Sequence, residues 1–86
     1  MSELKSRTFS VTATTVVERV MTNEKSLMPL DGDISIWYGV YTGTAAELIV
    51  EGMSISSGAL IEHIEANSGI ISIVSTTGTV KIHEVV

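Results

Sequence analysis

The chain contains no cysteine, one proline and four aromatic residues among its 86 amino acids. Without cysteine it can form neither a disulfide nor a thiolate metal site. Its strictly apolar runs are at most three residues long, as in Leu48-Ile49-Val50, whereas a helix that crosses a bilayer needs about 20 consecutive apolar residues. The sequence therefore excludes a disulfide scaffold and predicts a soluble protein with no membrane partner.

Basic residues are also scarce, with five Lys and Arg against ten Asp and Glu and a net charge of −5. A phosphate backbone would be repelled by this balance, since binding it requires clustered cations. The first eight residues lack the apolar core of a secretion signal. The sequence thus excludes nucleic acid as a partner and predicts synthesis and retention in a cytoplasm.

Residue patterns that carry chemistry are missing. His63 and His83 stand singly, without the spacing that places two imidazoles on one metal. Residues 31–33 begin like a calcium loop, but apolar residues follow where oxygen ligands should be, so they predict a turn. No serine stands in a G-x-S-x-G elbow, and no glycine cluster forms a phosphate cradle. We therefore predict no enzyme activity, no cofactor and no metal.

What the chain has in abundance is β-branched residues, because 30 of its 86 residues are Val, Ile or Thr. These side chains favour a pleated, half-buried surface over a helix. Seven glycines punctuate the chain at turn-like intervals. The pattern predicts an all-β protein, a small antiparallel β-sandwich or barrel over residues 8–86, preceded by a flexible N-terminal arm over residues 1–7.

Individual segments have distinct patterns. Residues 8–14 alternate as a first strand, and residues 16–21 break the alternation, which requires a bulge, a bend or a strand buried on both faces. Pro29 makes residues 26–30 an edge strand. Residues 70–85 predict a closing hairpin that turns at 75–78. Residues 59–66 fit either a short helix or a strand, and we favour extended structure.

The aromatic residues concentrate in residues 34–41, which predict the central strand. Alternation places Trp37 and Tyr41 on one face and Tyr38 on the other. Two interpretations remain open for Trp37 and Tyr41: contact with another subunit or partner, where aromatic residues are enriched, or packing under a loop of the same chain.

The length of the chain makes a partner plausible. A domain of this size buries only about 60% of the surface that its unfolded chain exposes. With no disulfide available, oligomerisation or docking on a larger body is the remaining way to add stability. We therefore expect a structural or interaction protein.

Several segments occur in a suggestive order: a threonine-rich strand at 9–14, then segments 25–30, 33–39, 48–53 and 68–84. This order resembles small all-β structural proteins of tailed bacteriophages, of the head decoration or cement type. The resemblance covers residues 8–86 and rests on turn glycines and β-branched alternation. Proteins of that class often carry a basic residue and an asparagine beside the second strand, whereas here Lys25 precedes Pro29 and Asp31, so the resemblance assigns no site.

The resemblance implies a virion structural protein, made in the bacterial host cytoplasm, that decorates the capsid and stabilises the shell. It would self-associate as a dimer or trimer and bind the major capsid protein or another virion protein. An aromatic surface and an exposed strand or arm would make these contacts. The candidate interface residues are Trp37, Tyr41, Leu4, Lys5 and Arg7.

Two other functions remain open. A receptor- or carbohydrate-recognition module on a phage tail or fibre would stack Trp37, Tyr38 and Tyr41 on a ligand. A small acidic inhibitor or DNA mimic would need carboxylates aligned along one face, whereas the glutamates of this chain are scattered.

Overall fold

The structure is a computed structural model that describes residues 6–20, 26–61 and 69–85. This part of the chain forms seven strands and one short helix. In chain order they are β1 (Ser6–Val11), β2 (Val17–Val20), β3 (Ser26–Pro29), β4 (Ile34–Tyr38), α1 (Ala45–Glu51), β5 (Met53–Ile55), β6 (Ile70–Ser75) and β7 (Val80–Val85).

The strands form two antiparallel sheets that pack face to face. One is three-stranded in the order β1-β7-β3, and the other is four-stranded in the order β2-β6-β4-β5. The predicted all-β class and β-sandwich architecture are therefore confirmed. Strand β4 lies between β6 and β5, as expected for the central strand, and β3 lies at an edge, where Pro29 is tolerated.

The core is built from residues that alternate along each strand, because successive strand side chains point to opposite faces. The apolar side chains that face the opposite sheet are almost completely removed from solvent. They form one cluster of Val11, Leu27, Ile34, Ile36, Ile61, Ile71, Ile73, Val80 and Ile82, with Phe9, Val17 and Ile55 packed against it.

The chain passes from one sheet to the other four times, and three of these connections lie in the described part: β1 to β2, β3 to β4 and β6 to β7. The predicted closing hairpin is therefore wrong, because β6 and β7 pair with different partners in facing sheets. Strand β6 is buried on both faces from Ile71 to Ser75. It lies between β2 and β4, so no edge remains for β7, which pairs with β1 and β3 instead.

The three connections lie side by side and are joined by hydrogen bonds. The Ser75 N–H donates to the Thr12 carbonyl (3.1 Å), and the Thr76 N–H donates to the Asp33 carbonyl (3.1 Å). The Asp31 carboxylate accepts from the Lys81 N–H at 2.7 Å. The chain bends at residues 13–14, where it leaves β1, and then enters the other sheet as β2. The bend thus precedes residues 16–21, where the alternation was predicted to break, and the burial of β2 within that range alternates.

Helix α1 is an element that the sequence analysis did not predict. Thr44 and Glu47 form a capping box: the Glu47 N–H donates to Thr44 Oγ1 (3.2 Å), and the Thr44 N–H donates to Glu47 Oε1 (3.0 Å). Leu48 is fully buried, and its carbonyl accepts a hydrogen bond from Ser35 Oγ at 2.7 Å. The helix thereby covers part of the outer face of the four-stranded sheet.

Strands β1 and β2 each carry an arginine on the inward face. Arg7 lies opposite Glu84, and its Nε donates to Glu84 Oε1 at 2.5 Å. The Arg19 guanidinium lies 3.9 Å from the centre of the Phe9 ring. The Arg7 side chain is 62% exposed, whereas Arg19 is half-buried. Charged side chains on edge strands oppose the addition of a further strand, and β1 and β2 are both edge strands.

Two segments with open predictions are described only in part. Strand β1 begins at Ser6, so the last two residues of the predicted arm belong to a strand, and residues 1–5 lie outside the described part. Of the ambiguous residues 59–66, Ile61 forms an antiparallel bridge with Leu27, consistent with extended structure there, and residues 62–66 also lie outside it.

Candidate contact surface

The most exposed aromatic residues lie where β4 extends past its neighbour. Strand β5 pairs with β4 only from Ile34 to Ile36, whereas β6 continues to pair with Trp37 and Tyr38. Trp37 is 43% exposed and Tyr38 is 41% exposed. Because they are consecutive strand residues, their rings flank this free strand edge from opposite faces.

Tyr41 joins Trp37 on the outer face of the four-stranded sheet. The two rings meet edge to face, with centroids 5.4 Å apart and planes at 65°. Ser72 holds the intervening chain, because its hydroxyl donates to the Gly39 carbonyl (2.7 Å) and accepts from the Tyr41 N–H (3.1 Å). Gly39 has φ 112°, a left-handed conformation that favours glycine and turns the chain over the sheet.

The Tyr41 hydroxyl donates a hydrogen bond to the Glu51 carboxylate at the end of α1. This hydrogen bond raises the pKa of Tyr41 to about 12, with further contributions from desolvation and from the charges of Glu51 and Glu47. At the start of the helix, the hydrogen bonds from the Thr44 backbone and hydroxyl lower the pKa of Glu47. The lowered pKa favours the ionised form of Glu47 at the start of α1.

An open cavity of about 420 Å³ lies between the end of α1 and the end of β4. Gly52 lies at the base of this cavity, where the end of α1 approaches β4 closely. A Cβ at Gly52 would stand 2.7 Å from the Leu48 carbonyl oxygen and 2.8 Å from the Ile36 carbonyl oxygen. The Tyr38 hydroxyl lies 4.0 Å from the sulfur of Met53. The residues that line the cavity are Ile36, Trp37, Tyr38, Glu51, Gly52 and Met53.

The Tyr41–Glu51 hydrogen bond predicts a defined pH dependence. A folded-state pKa above the unfolded value means that this contact contributes its full stability below pH 10 and loses it as the pH rises toward about 12. In Glu51→Gln, we expect one tyrosine to ionise at lower pH than in the parent protein. Ultraviolet absorbance of tyrosinate measures this, and Glu18→Gln is the control. Identical titration curves for Glu51→Gln and the parent would contradict the contact.

The chain matches no protein-family model, no curated protein and no solved structure. Of the predicted interface residues, the structure brings Trp37 and Tyr41 together. Arg7 pairs with Glu84 within the same molecule, whereas Leu4 and Lys5 lie outside the described part.

Tyr38, Glu51 and Met53 belong to the same surface and were not among the predicted interface residues. Alternation assigned Tyr38 to the opposite face, which is correct, but the strand ends at Tyr38 and leaves its ring accessible. Glu51 and Met53 reach the site through α1 and β5. The capping pattern from Thr44 to Glu47 is the signal that could have located the helix.

The histidines and acidic residues considered as metal ligands do not come together in the described part of the fold. Within the described ranges, no three His, Asp or Glu side chains come close enough to hold a metal ion. His83 lies opposite Thr8 and Met28 on the three-stranded sheet, and His63 falls outside those ranges. Among the described helices, none is long and apolar enough to cross a membrane.

Proposed function

We propose that this chain is a non-catalytic structural protein of a bacteriophage particle, which decorates the capsid and self-associates or docks there through one aromatic surface. That surface, here called the aromatic patch, consists of Trp37, Tyr38, Tyr41 and Met53. The virion role rests on the sequence resemblance, and the mode of contact rests on the position of the patch.

The observation that carries the proposal is the exposure of large side chains together at one corner of a very small domain. Trp37, Tyr38 and Met53 are each at least 41% exposed, and all three line the same cavity. Aromatic residues and methionine are enriched in protein interfaces and dominate their binding energy. The edge strands β1 and β2, which could otherwise extend a sheet, each carry an arginine, and charged residues on edge strands oppose such extension.

Carbohydrate recognition is the second candidate, and one observation favours it. The cavity combines exposed rings with the Glu51 carboxylate, and its volume of about 420 Å³ lies within the usual range for small-ligand sites. A sugar could stack on a ring and donate hydroxyl protons to the carboxylate. The two candidates share the aromatic patch and differ in the partner.

The variant Trp37→Ala tests whether the aromatic patch mediates association. If the patch mediates association, the variant should weaken it by about tenfold or more, since truncating a central interface aromatic commonly costs about 2 kcal/mol or more. Sedimentation velocity across a dilution series measures this. Val20→Ala is the control, because Val20 is 58% exposed on β2, at the opposite edge of the same sheet.

The same preparation distinguishes the partners. Trp37 is the sole tryptophan, so its fluorescence reports burial of the patch. A change on dilution, or on adding purified capsids, supports the structural role. A protein that stays monomeric, ignores capsids and changes its fluorescence only with glycans would replace that role with carbohydrate recognition.

A further inference from the structure

The cavity at the end of β4 is lined mostly by apolar and aromatic residues and contains one charged residue. Trp37, Tyr38 and Met53 line it, together with Ile36 and Gly52, and its charged residue is Glu51. The hydrogen bond that Glu51 accepts comes from the neutral Tyr41 hydroxyl. The cavity thus offers apolar and π surface that surrounds a negative charge.

The basic side chains of the described residues lie elsewhere. Arg7 is paired with Glu84, and Arg19 stacks on Phe9 at the inward face of the sandwich. Lys81 is exposed on β7, in the three-stranded sheet. Within the described residues, Glu51 therefore has no cationic partner, and the whole chain carries an excess of five negative charges.

We propose that this cavity binds an arginine side chain presented by the partner protein. The proposal rests on the proposed function and specifies the chemistry of the partner surface. An isolated carboxylate beside aromatic rings favours a cation, because the ring faces attract positive charge and the carboxylate forms charge-assisted hydrogen bonds.

The shape of the cavity favours arginine among the cationic side chains. A guanidinium is planar, so it can stack on Trp37 or Tyr38 while its N–H groups reach the outer edge of the Glu51 carboxylate. Its three methylene groups would lie against the exposed Met53 side chain, which keeps this apolar surface covered. The acidic excess of the chain would also speed the encounter with a basic partner surface.

Two tripeptides that differ in one group test the proposal. The probe is acetyl-Gly-Arg-Gly-amide, and its control contains citrulline, which has the shape of arginine without the charge. The indole N–H signal of Trp37 is followed by NMR during each titration. We expect a saturable shift with the arginine peptide, weaker at high salt, and none with the citrulline peptide.

Two variants that each remove one glutamate charge test whether Glu51 provides the charge that binds arginine. Glu51→Gln keeps an acceptor for Tyr41 and should weaken arginine binding by about tenfold or more. Glu18→Gln removes the same charge from an exposed position on β2, at the other edge of the sheet, and should leave binding within about twofold, because Glu18 does not line the cavity. Equal binding of the citrulline peptide, or an unchanged affinity in Glu51→Gln, would overturn the proposal.

The two proposals fail separately. If the arginine peptide leaves the Trp37 signal unmoved while Trp37→Ala still disrupts association, the arginine site is wrong and the structural role stands. If the arginine peptide binds in a Glu51-dependent way while the chain neither associates nor binds capsids, the arginine site stands and the capsid role is wrong.

Discussion

Replacing Ile73 by alanine is expected to lower the free energy of unfolding by about 2–5 kcal/mol, the range observed for truncating a large buried aliphatic side chain. Ile73 is fully buried on β6, between Val17 of β2 and Ile36 of β4. Because β6 is enclosed by strands on both sides, its neighbours have little freedom to close the cavity. Urea denaturation followed by circular dichroism measures the loss.

Val50→Ala is the matched control for Ile73→Ala. Val50 is 83% exposed on α1, so the same kind of truncation should change the unfolding free energy by less than about 0.5 kcal/mol. For a domain of this size, a loss of this magnitude is a large fraction of the total free energy of unfolding. Equal stabilities of the two variants would show that the sheets do not pack as described.

The faces of the strands could be predicted from the sequence, because alternation is a local property. Phe9 and Val11 lie inward on β1, and the proline of β3 lies on an edge strand. Both outcomes follow from rules that need no knowledge of the partner strand. The fold class could therefore be predicted from residue type and spacing.

The pairing of the strands could not be predicted in this way. Residues 70–85 have the alternation and the turn of a hairpin, yet β6 and β7 separate into facing sheets. A hairpin would require β7 to pair with an edge of β6. Strands β2 and β4 already occupy both edges of β6, so the connection crosses to the other sheet. The pairing of β6 with β2 and β4 involves residues more than 30 positions away, beyond the reach of any local pattern.

The candidate site likewise combines features that local sequence patterns predict with features that depend on distant residues. Alternation placed Trp37 and Tyr41 on one face, and their rings do meet. Their contact, however, depends on Ser72, a distant serine that holds the chain at Gly39 and Tyr41. Glu51 enters the site because α1 packs on β4 through Leu48, a tertiary contact that the capping pattern alone cannot specify.

Gly52→Ala should damage both stability and the site, because Gly52 lies where α1 contacts β4. A Cβ at this position would stand 2.3 Å from Ser35 Oγ, 2.7 Å from the Leu48 carbonyl oxygen and 2.8 Å from the Ile36 carbonyl oxygen. The Leu48 oxygen belongs to α1 and the Ile36 oxygen belongs to β4, so the backbone at the end of the helix must shift relative to both elements. We expect a loss of about 1–3 kcal/mol in unfolding free energy, as for other overpacked positions.

Two controls separate the steric effect from other effects of adding a methyl group to a glycine. Gly78→Ala alters a turn glycine with φ 61° and no atom within 4 Å of the new Cβ, so it strains the backbone without touching the cavity. It should destabilise the protein while leaving Trp37 fluorescence unchanged. Ser35→Ala removes one of the three contacts, so adding it to Gly52→Ala should not restore stability.

The fluorescence of Trp37 distinguishes a moved helix from a merely weaker fold. Displacement of Gly52 and Glu51 widens the cavity and withdraws the carboxylate from Tyr41, whose ring contacts the indole. The Gly52→Ala variant should therefore show a changed Trp37 emission maximum under conditions in which its denaturation curve shows that it is still folded. Unchanged emission together with full stability would mean that α1 does not approach β4 through this glycine, and the cavity would then lack its described base.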